Sequence, residues 1–261
     1  MEKKNKMETM HMQKLVINMS LPLIVSLLVQ SLYNIVDSIF VAKMSEEALT
    51  ATSLAFPVQM LMIAFSVGTS VGVNALLSKT LGARNRERAT KIANTSIMLA
   101  LINGAVFSLT GIFFAQKLAR SFTTVESTAA LCAEYLSICM VFCFGNFIET
   151  MLQRFLQAAG NTVLSMCSLI AGAVTNIMLD PILIFGLLGF PALGIRGAAI
   201  ATVIGQWLGA AVALLLNRFC NREGIVDFRR FCQKRKLFSG YTRLGCPILL
   251  PRRSAALWSR W

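Results

Sequence analysis

Six apolar blocks divide this chain, at 15–41, 52–78, 92–115, 129–152, 163–188 and 197–217, and they leave few folds open to it. Each meets the requirement of about 20 residues for an α-helix that crosses the hydrocarbon core of a bilayer. A transmembrane β-barrel would instead need alternating segments of about 10 residues. The stretch LALINGAVFSLTGIFFA at 99–115 does not alternate. Composition agrees: 56% of the 261 residues are hydrophobic and 14% charged, where soluble domains carry about 25% charged residues. The expected fold class is therefore an all-α integral membrane protein, a bundle of six transmembrane helices over 15–217. A cytoplasmic N-terminal segment (1–14) precedes it and a basic cytoplasmic tail (218–261) follows.

The net charge of +13 could point to nucleic acid, but the positions of the charges point to topology. Lys3, Lys4, Lys6 and Lys14 precede the first span. Lys79, Arg84, Arg86, Arg88 and Lys91 lie between the second and third, and Arg218, Arg222, Arg229, Arg230, Lys234, Arg235 and Lys236 follow the sixth. The opposite loops carry only Lys43, Lys117, Arg120 and Arg196. Cytoplasmic loops are the lysine- and arginine-rich ones, so both ends of the bundle are expected inside, as an even number of spans requires. The first apolar run exceeds a signal-peptide core and lacks a clear small-residue cleavage site, so it reads as a retained helix. The cysteines, four of them within spans (Cys132, Cys139, Cys143, Cys167), follow no metal or disulfide spacing and read as packing residues. His11, the single histidine, lies in the polar N-terminal segment, away from any expected catalytic or metal centre.

Acids at bilayer depth cost a few kcal/mol and normally face a bundle interior or an aqueous cavity, where they move ions or substrates. Asp37 and Asp180 are such acids, each with an asparagine one helical turn earlier: Asn34 and Asn176. Gln30, Asn34 and Asp37 share one face of the first helix. Pro22 removes a hydrogen bond in that helix, either as a structural bend or as a hinge. In the second span Gly68 and Gly72 form a GxxxG pair expected to admit a neighbouring helix, and Gly82 suits a helix end. In the fourth, Tyr135 is either an interfacial anchor or a cavity-lining hydroxyl, and Glu149 with Arg154 is read as the helix's interfacial end. In the fifth, TNIMLDPILIFG stacks Asn176 and Asp180 on one face, and Pro181 is expected to interrupt the helix just after. Thr202 and Gln206 lie one turn apart in the small-residue-rich sixth span, suited to tight packing. Desolvation favours the neutral form of a carboxylate and a neighbouring cation its charged form, so paired intramembrane aspartates suit the exchange of a proton against another cation. The structural alternative is that both acids are tied to donors that fix helix packing. With no serine, histidine or metal constellation in view, no enzyme activity and no cofactor are expected.

These residues resemble the multidrug and toxic compound extrusion (MATE) transporters. The likeness runs through SLPLIVSLLVQSLYNIVDSIFVAKMSEEALTA, GTSVGVNALLSKTLGARNRERA, LQAAGNT and TNIMLDPILIFGLLGFPALGIRGAAIATVIGQ, and covers essentially 15–217. It is greatest to the bacterial branch that exports cationic drugs. The resemblance implies twelve helices in two six-helix lobes, of which this chain is the N-terminal lobe, in a sodium- or proton-driven antiporter. It implies a bacterial plasma membrane location, organic cations as substrates and lipid as surroundings. It maps the N-lobe cation site onto Asp37, Asn176 and Asp180, which would be the ligands if the ion is Na+. Tyr135 and Thr202 line the site, and Pro22 matches the proline at which the first helix bends in some members; Asn34 joins the set from the residues themselves, as an amide beside Asp37 able to donate a hydrogen bond or offer its oxygen to Na+. After KLFSGYTRLGCPILL, where a seventh helix is expected, the chain reads PRRSAALWSRW, as a truncated or frameshifted product would. Three further readings follow: an inactive fragment, a half-transporter that needs a C-terminal lobe, and a flippase for lipid-linked oligosaccharides. The last would be expected to place several cationic side chains in its cavity.

Overall fold

The computed structural model describes residues 11–220. The expectations for residues 1–10 and for the tail from 221 onward lie outside the described residues. Those described are almost wholly helical: α1 (Met12–Met44), α2 (Glu46–Gly82), α3 (Arg86–Phe122), α4 (Glu126–Val141), α5 (Phe144–Ala158), α6 (Thr162–Phe185) and α7 (Ile195–Phe219). Five are individually long and apolar enough to cross a membrane, and α4 with α5 forms a sixth span bent by 47°. The chain is a multi-pass membrane protein. In span order α4 and α5 are the fourth, α6 the fifth and α7 the sixth.

Short polar joints set the helix starts. Ser45 accepts from the Ala48 N–H at 3.0 Å to begin α2, and Asn85 accepts from the Arg88 N–H at 3.0 Å to begin α3. Gly186 ends α6 in the left-handed conformation, with φ 73°, where a side chain would meet the Ala192 backbone. Gly82, by contrast, is the last helical residue of α2, and Arg84 takes the positive φ of 55° in the joint to α3.

The sides that meet are small. Along α3 the buried residues are Ala89, Ala93, Ser96, Ala100, Gly104, Ser108, Gly111, Ala115 and Ala119, a stripe at three- and four-residue spacing that lets backbones approach. Helix α6 lies between α1 and α7, while α7 leads on to α4 and α5, which pack with α2 and α3. The outer face of α1 presents Leu21, Ile24, Leu27, Leu28 and Leu32 to its surroundings, as a lipid-facing helix does.

Three local expectations are corrected. Gly68 and Gly72 do not form a packing contact, since nothing lies within 4 Å of a Cβ built on either. The face of α2 that packs instead runs through Ala48, Ala51, Ala55, Ser66 and Ser70. Pro181 does not interrupt the fifth span: α6 continues through it to Phe185, as α1 continues through Pro22. Proline costs only its own N–H bond when the neighbouring helices hold the chain straight. The fourth span is not one helix but two, parted at Phe142–Cys143 with no proline present. There Ser108 donates to the Val141 carbonyl at 3.0 Å and the Cys143 thiol donates to the Gly104 carbonyl at 3.4 Å, so α3 supplies polar partners where the ladder breaks.

Candidate functional site

Asp37 and Asn34 leave α1 on one face and line a cavity of about 310 Å³, together with Tyr33, Gln59 of α2, Tyr135 of α4 and Thr202 of α7. Tyr135 is 3% exposed, and its hydroxyl accepts from Gln59 Nε2 at 3.2 Å. Of the two alternatives, the structure places it in the cavity wall rather than at an interface.

Asn176 and Asp180 stand behind that wall on α6, 3% and 0% exposed. Asn176 reaches α7, where Nδ2 donates to Thr202 Oγ1 at 3.3 Å. With the amide turned over, Nδ2 donates to Asp180 Oδ2 at 3.3 Å and the amide oxygen accepts from the Thr202 N–H at 3.1 Å. That orientation gives both ends of the amide a partner, so Asn176 links Asp180 to the α7 backbone. Thr202 Oγ1 itself donates to the Ala198 carbonyl at 3.0 Å.

The helices leave Asp37 Oδ1 and Asp180 Oδ1 buried and without a hydrogen-bond partner. The two carboxyls are within electrostatic reach of each other. A buried polar atom without a partner is costly. A proton on the carboxyl group, or an oxygen-seeking cation held between the carboxyls with the Asn176 and Thr202 oxygens nearby, satisfies what the fold leaves open. Pro181, having no N–H, leaves the Ile177 carbonyl without a helical partner on the same stretch of α6.

Pro22 lies apart from this group. It is buried in α1, fifteen residues before Asp37 and so about 22 Å along the axis. Ser26 Oγ donates back to the Pro22 carbonyl at 2.8 Å.

The structure also brings in residues that the sequence reading did not assign to a site. Tyr33 is within electrostatic reach of Asp37, Asp180 and Glu149, and its only sequence signal is its place beside Asn34. Gln59 shares its apolar span with Asn74, fifteen residues on, and no pattern in the sequence singles it out. Asn146 lines the cavity from α5, and its Nδ2 is buried without a partner. Glu149 is a correction: it does not belong to an interfacial end with Arg154. Its carboxyl packs against Gly172 of α6 and Gly209 of α7, well inside both helices, and accepts from Gln153 Nε2 at 3.0 Å. Arg154 instead donates to Gln157 Oε1 at 2.7 Å.

Comparisons with known proteins agree with this architecture. The MatE family profile matches residues 22–182. A probable multidrug resistance protein of Bacillus subtilis, YoeA, is 33% identical over 235 residues, which is 87% of this chain and 50% of that protein. A FAD transporter of Shewanella oneidensis is 30% identical over 209 residues, 79% of this chain and 45% of that protein. A solved outward-facing multidrug resistance MATE family transporter of the MOP superfamily superposes with a TM-score of 0.78 at 28% identity, over 94% of this chain and 54% of that one. The chain spans about half the length of the curated relatives it matches. With the profile match covering most of the bundle and six crossings arranged as in one lobe of the solved relative, the chain belongs to the MatE family, the multidrug and toxic compound extrusion transporters.

Proposed function

We propose that this chain carries the cation-coupling lobe of an exporter of organic cations, driven by Na+ or H+ across a bacterial plasma membrane, with its N-terminus in the cytoplasm. The observation that carries the reading is the pair of partnerless carboxylate oxygens, Asp37 Oδ1 and Asp180 Oδ1, buried on adjacent helices beside Asn176 and Thr202. A proton or Na+ satisfies them; Asp37, Asn176 and Asp180 would be the ligands, all offering hard oxygen donors. Loading the site removes the repulsion between the two acids, so α1 and α6 draw together and the cavity that Asp37, Tyr33 and Gln59 line changes shape. Cation influx would thereby drive release of the drug outward.

The cavity favours a positively charged substrate. It contains Asp37 and no lysine, arginine or histidine among its described lining residues. This argues against the flippase reading, which needs cationic side chains for a pyrophosphate, and against transfer of the FAD specificity printed for the Shewanella relative. Relatives twice as long and named for multidrug resistance support efflux as the activity, with a second lobe supplying the other wall of the cavity.

The test is ethidium efflux and drug susceptibility in a transporter-deficient bacterium expressing this chain or its Asp37→Asn and Asp180→Asn variants. Efflux lost in both variants supports the reading, whereas efflux that survives both substitutions refutes it. An inserted chain without efflux places the activity in a two-lobed assembly, and co-expression with a C-terminal lobe should then restore it.

A further inference from the structure

The polar residues of the bundle do not stop at the cavity. Along α5 a polar face runs Asn146, Glu149, Gln153 and Gln157, three and then four residues apart, which is one side of a helix. It begins at the cavity, where Asn146 is a lining residue, and ends at the Ala158 end of α5, where Gln157 donates to Ser165 Oγ at 2.9 Å. A second line runs parallel on α6: Gly172, Asn176 and Asp180 at successive four-residue steps. Glu149 stands where the two lines meet.

Its carboxyl occupies a slot that glycine makes. A Cβ at Gly209 would overlap the Glu149 carboxyl, and one at Gly172 would lie 3.6 Å from Glu149 Oε1. A Cβ at Gly205, one turn before Gly209 on α7, would meet the Gly172 carbonyl at 2.9 Å and Asn176 Cβ at 3.2 Å. The slot therefore opens one helical turn from Asn176 and two from Asp180, whose Oδ1 is buried and partnerless. The groups facing Glu149 are few. Gln153 donates to it from its own helix, Tyr33 reaches it electrostatically from α1, α6 and α7 present glycine, and no basic side chain among the described residues pairs with it. An acid held at this depth without a counter-charge is set up to take a cation rather than to pin helices together.

We propose that Glu149 is a further cation-binding residue on the transport path, a station between the Asp37/Asp180 site and the Ala158 end of the bundle for the same H+ or Na+. This rests on the function proposed above. The step is a transfer only: the carboxylate accepts the cation and later yields it, with no bond to the chain made or broken beyond the O–H of a protonated acid. Asp180 is left as a carboxylate when the cation moves on.

The experiment is infrared difference spectroscopy of the purified full chain in lipid nanodiscs, stepping pH and, separately, adding NaCl. Carboxyl bands are assigned by their loss in Glu149→Gln, Asp37→Asn and Asp180→Asn. The expected result is a Glu149 band that responds to pH or to Na+ and whose midpoint moves in Asp180→Asn, because binding at coupled sites is reciprocal. Gly209→Ala, which keeps every acid but crowds the slot, should displace the same band and guards against a Glu149→Gln variant that fails to fold. A Glu149 band indifferent to both ions, or one that responds but is unmoved by Asp180→Asn and Gly209→Ala, overturns the inference. If the Asp37 and Asp180 bands themselves ignore both ions, it is the underlying function that fails.

Discussion

Thr202 shows how much one hydroxyl decides. Its Oγ1 lies against the Asn176 amide, whose other end faces Asp180 Oδ2. Thr202→Val keeps the shape and removes an oxygen beside the cation site, a polar contact worth about 1 kcal/mol. Affinity for the coupling cation should fall roughly fivefold, the equivalent of about 1 kcal/mol. Cation titration of the nanodisc-embedded chain checks this, and an unchanged affinity would detach Thr202 from the site. Tyr135→Phe should leave the Gln59 amide bonded only to Cys139 Sγ at 3.8 Å, which loosens the cavity wall but spares the aspartates. Drug affinity should therefore drop more than cation affinity, and the opposite order would contradict the placement. At this scale the asparagine–aspartate pairs were legible because acids are rare inside apolar blocks. Tyr33, Gln59 and Asn146 were not, since a single polar residue in a span has no pattern until its neighbours on other helices are known.

The helices α6 and α7 meet through glycine, and the packing there should be intolerant of volume. Gly205→Leu drives a side chain into the Gly172 carbonyl and Asn176, and overpacking of that kind costs about 1–3 kcal/mol. The thermal midpoint of the detergent-solubilised chain should fall. Gly68→Ala and Gly72→Ala face open space, and alanine gains up to about 1 kcal/mol of helix propensity over glycine, so these variants should melt no lower than the parent. A loss in Gly68→Ala and Gly72→Ala as large as that in Gly205→Leu would mean that the α2 glycines are packed after all. The contrast also shows where sequence pattern failed. GxxxG states that close approach is allowed, not that a partner exists on that side. Pro181 in the fifth span and the proline-free break in the fourth make the same point from the backbone: neighbours carried α6 through a proline and let α4 part from α5 at Ser108 and Cys143.

On the scale of the whole bundle, Lys79, Arg84, Arg86, Arg88 and Lys91 gather at the α2–α3 end, with Lys14 and Arg218 at helix ends that an even number of crossings puts on the same side. Reporter fusions at His11 and Cys220 should both report the cytoplasm and one at Thr124 the outside. A fusion at Thr124 that reads as cytoplasmic would invert the orientation and, with it, the side toward which the polar face of α5 leads. What the sequence determined alone was the number of crossings, the all-α class, the family and which acids lie inside apolar spans. Hydrocarbon leaves a chain only internally bonded helices or a closed barrel, which the long non-alternating blocks exclude, and it makes every buried acid conspicuous. What only the tertiary structure decided was which side of each helix meets which. That choice brought Asp37 and Asp180 from spans far apart in sequence within electrostatic reach of each other, left Gly68 and Gly72 facing outward and carried Glu149 into the interior, because side-chain contacts between helices depend on rotation and approach, which no periodicity within a single helix records.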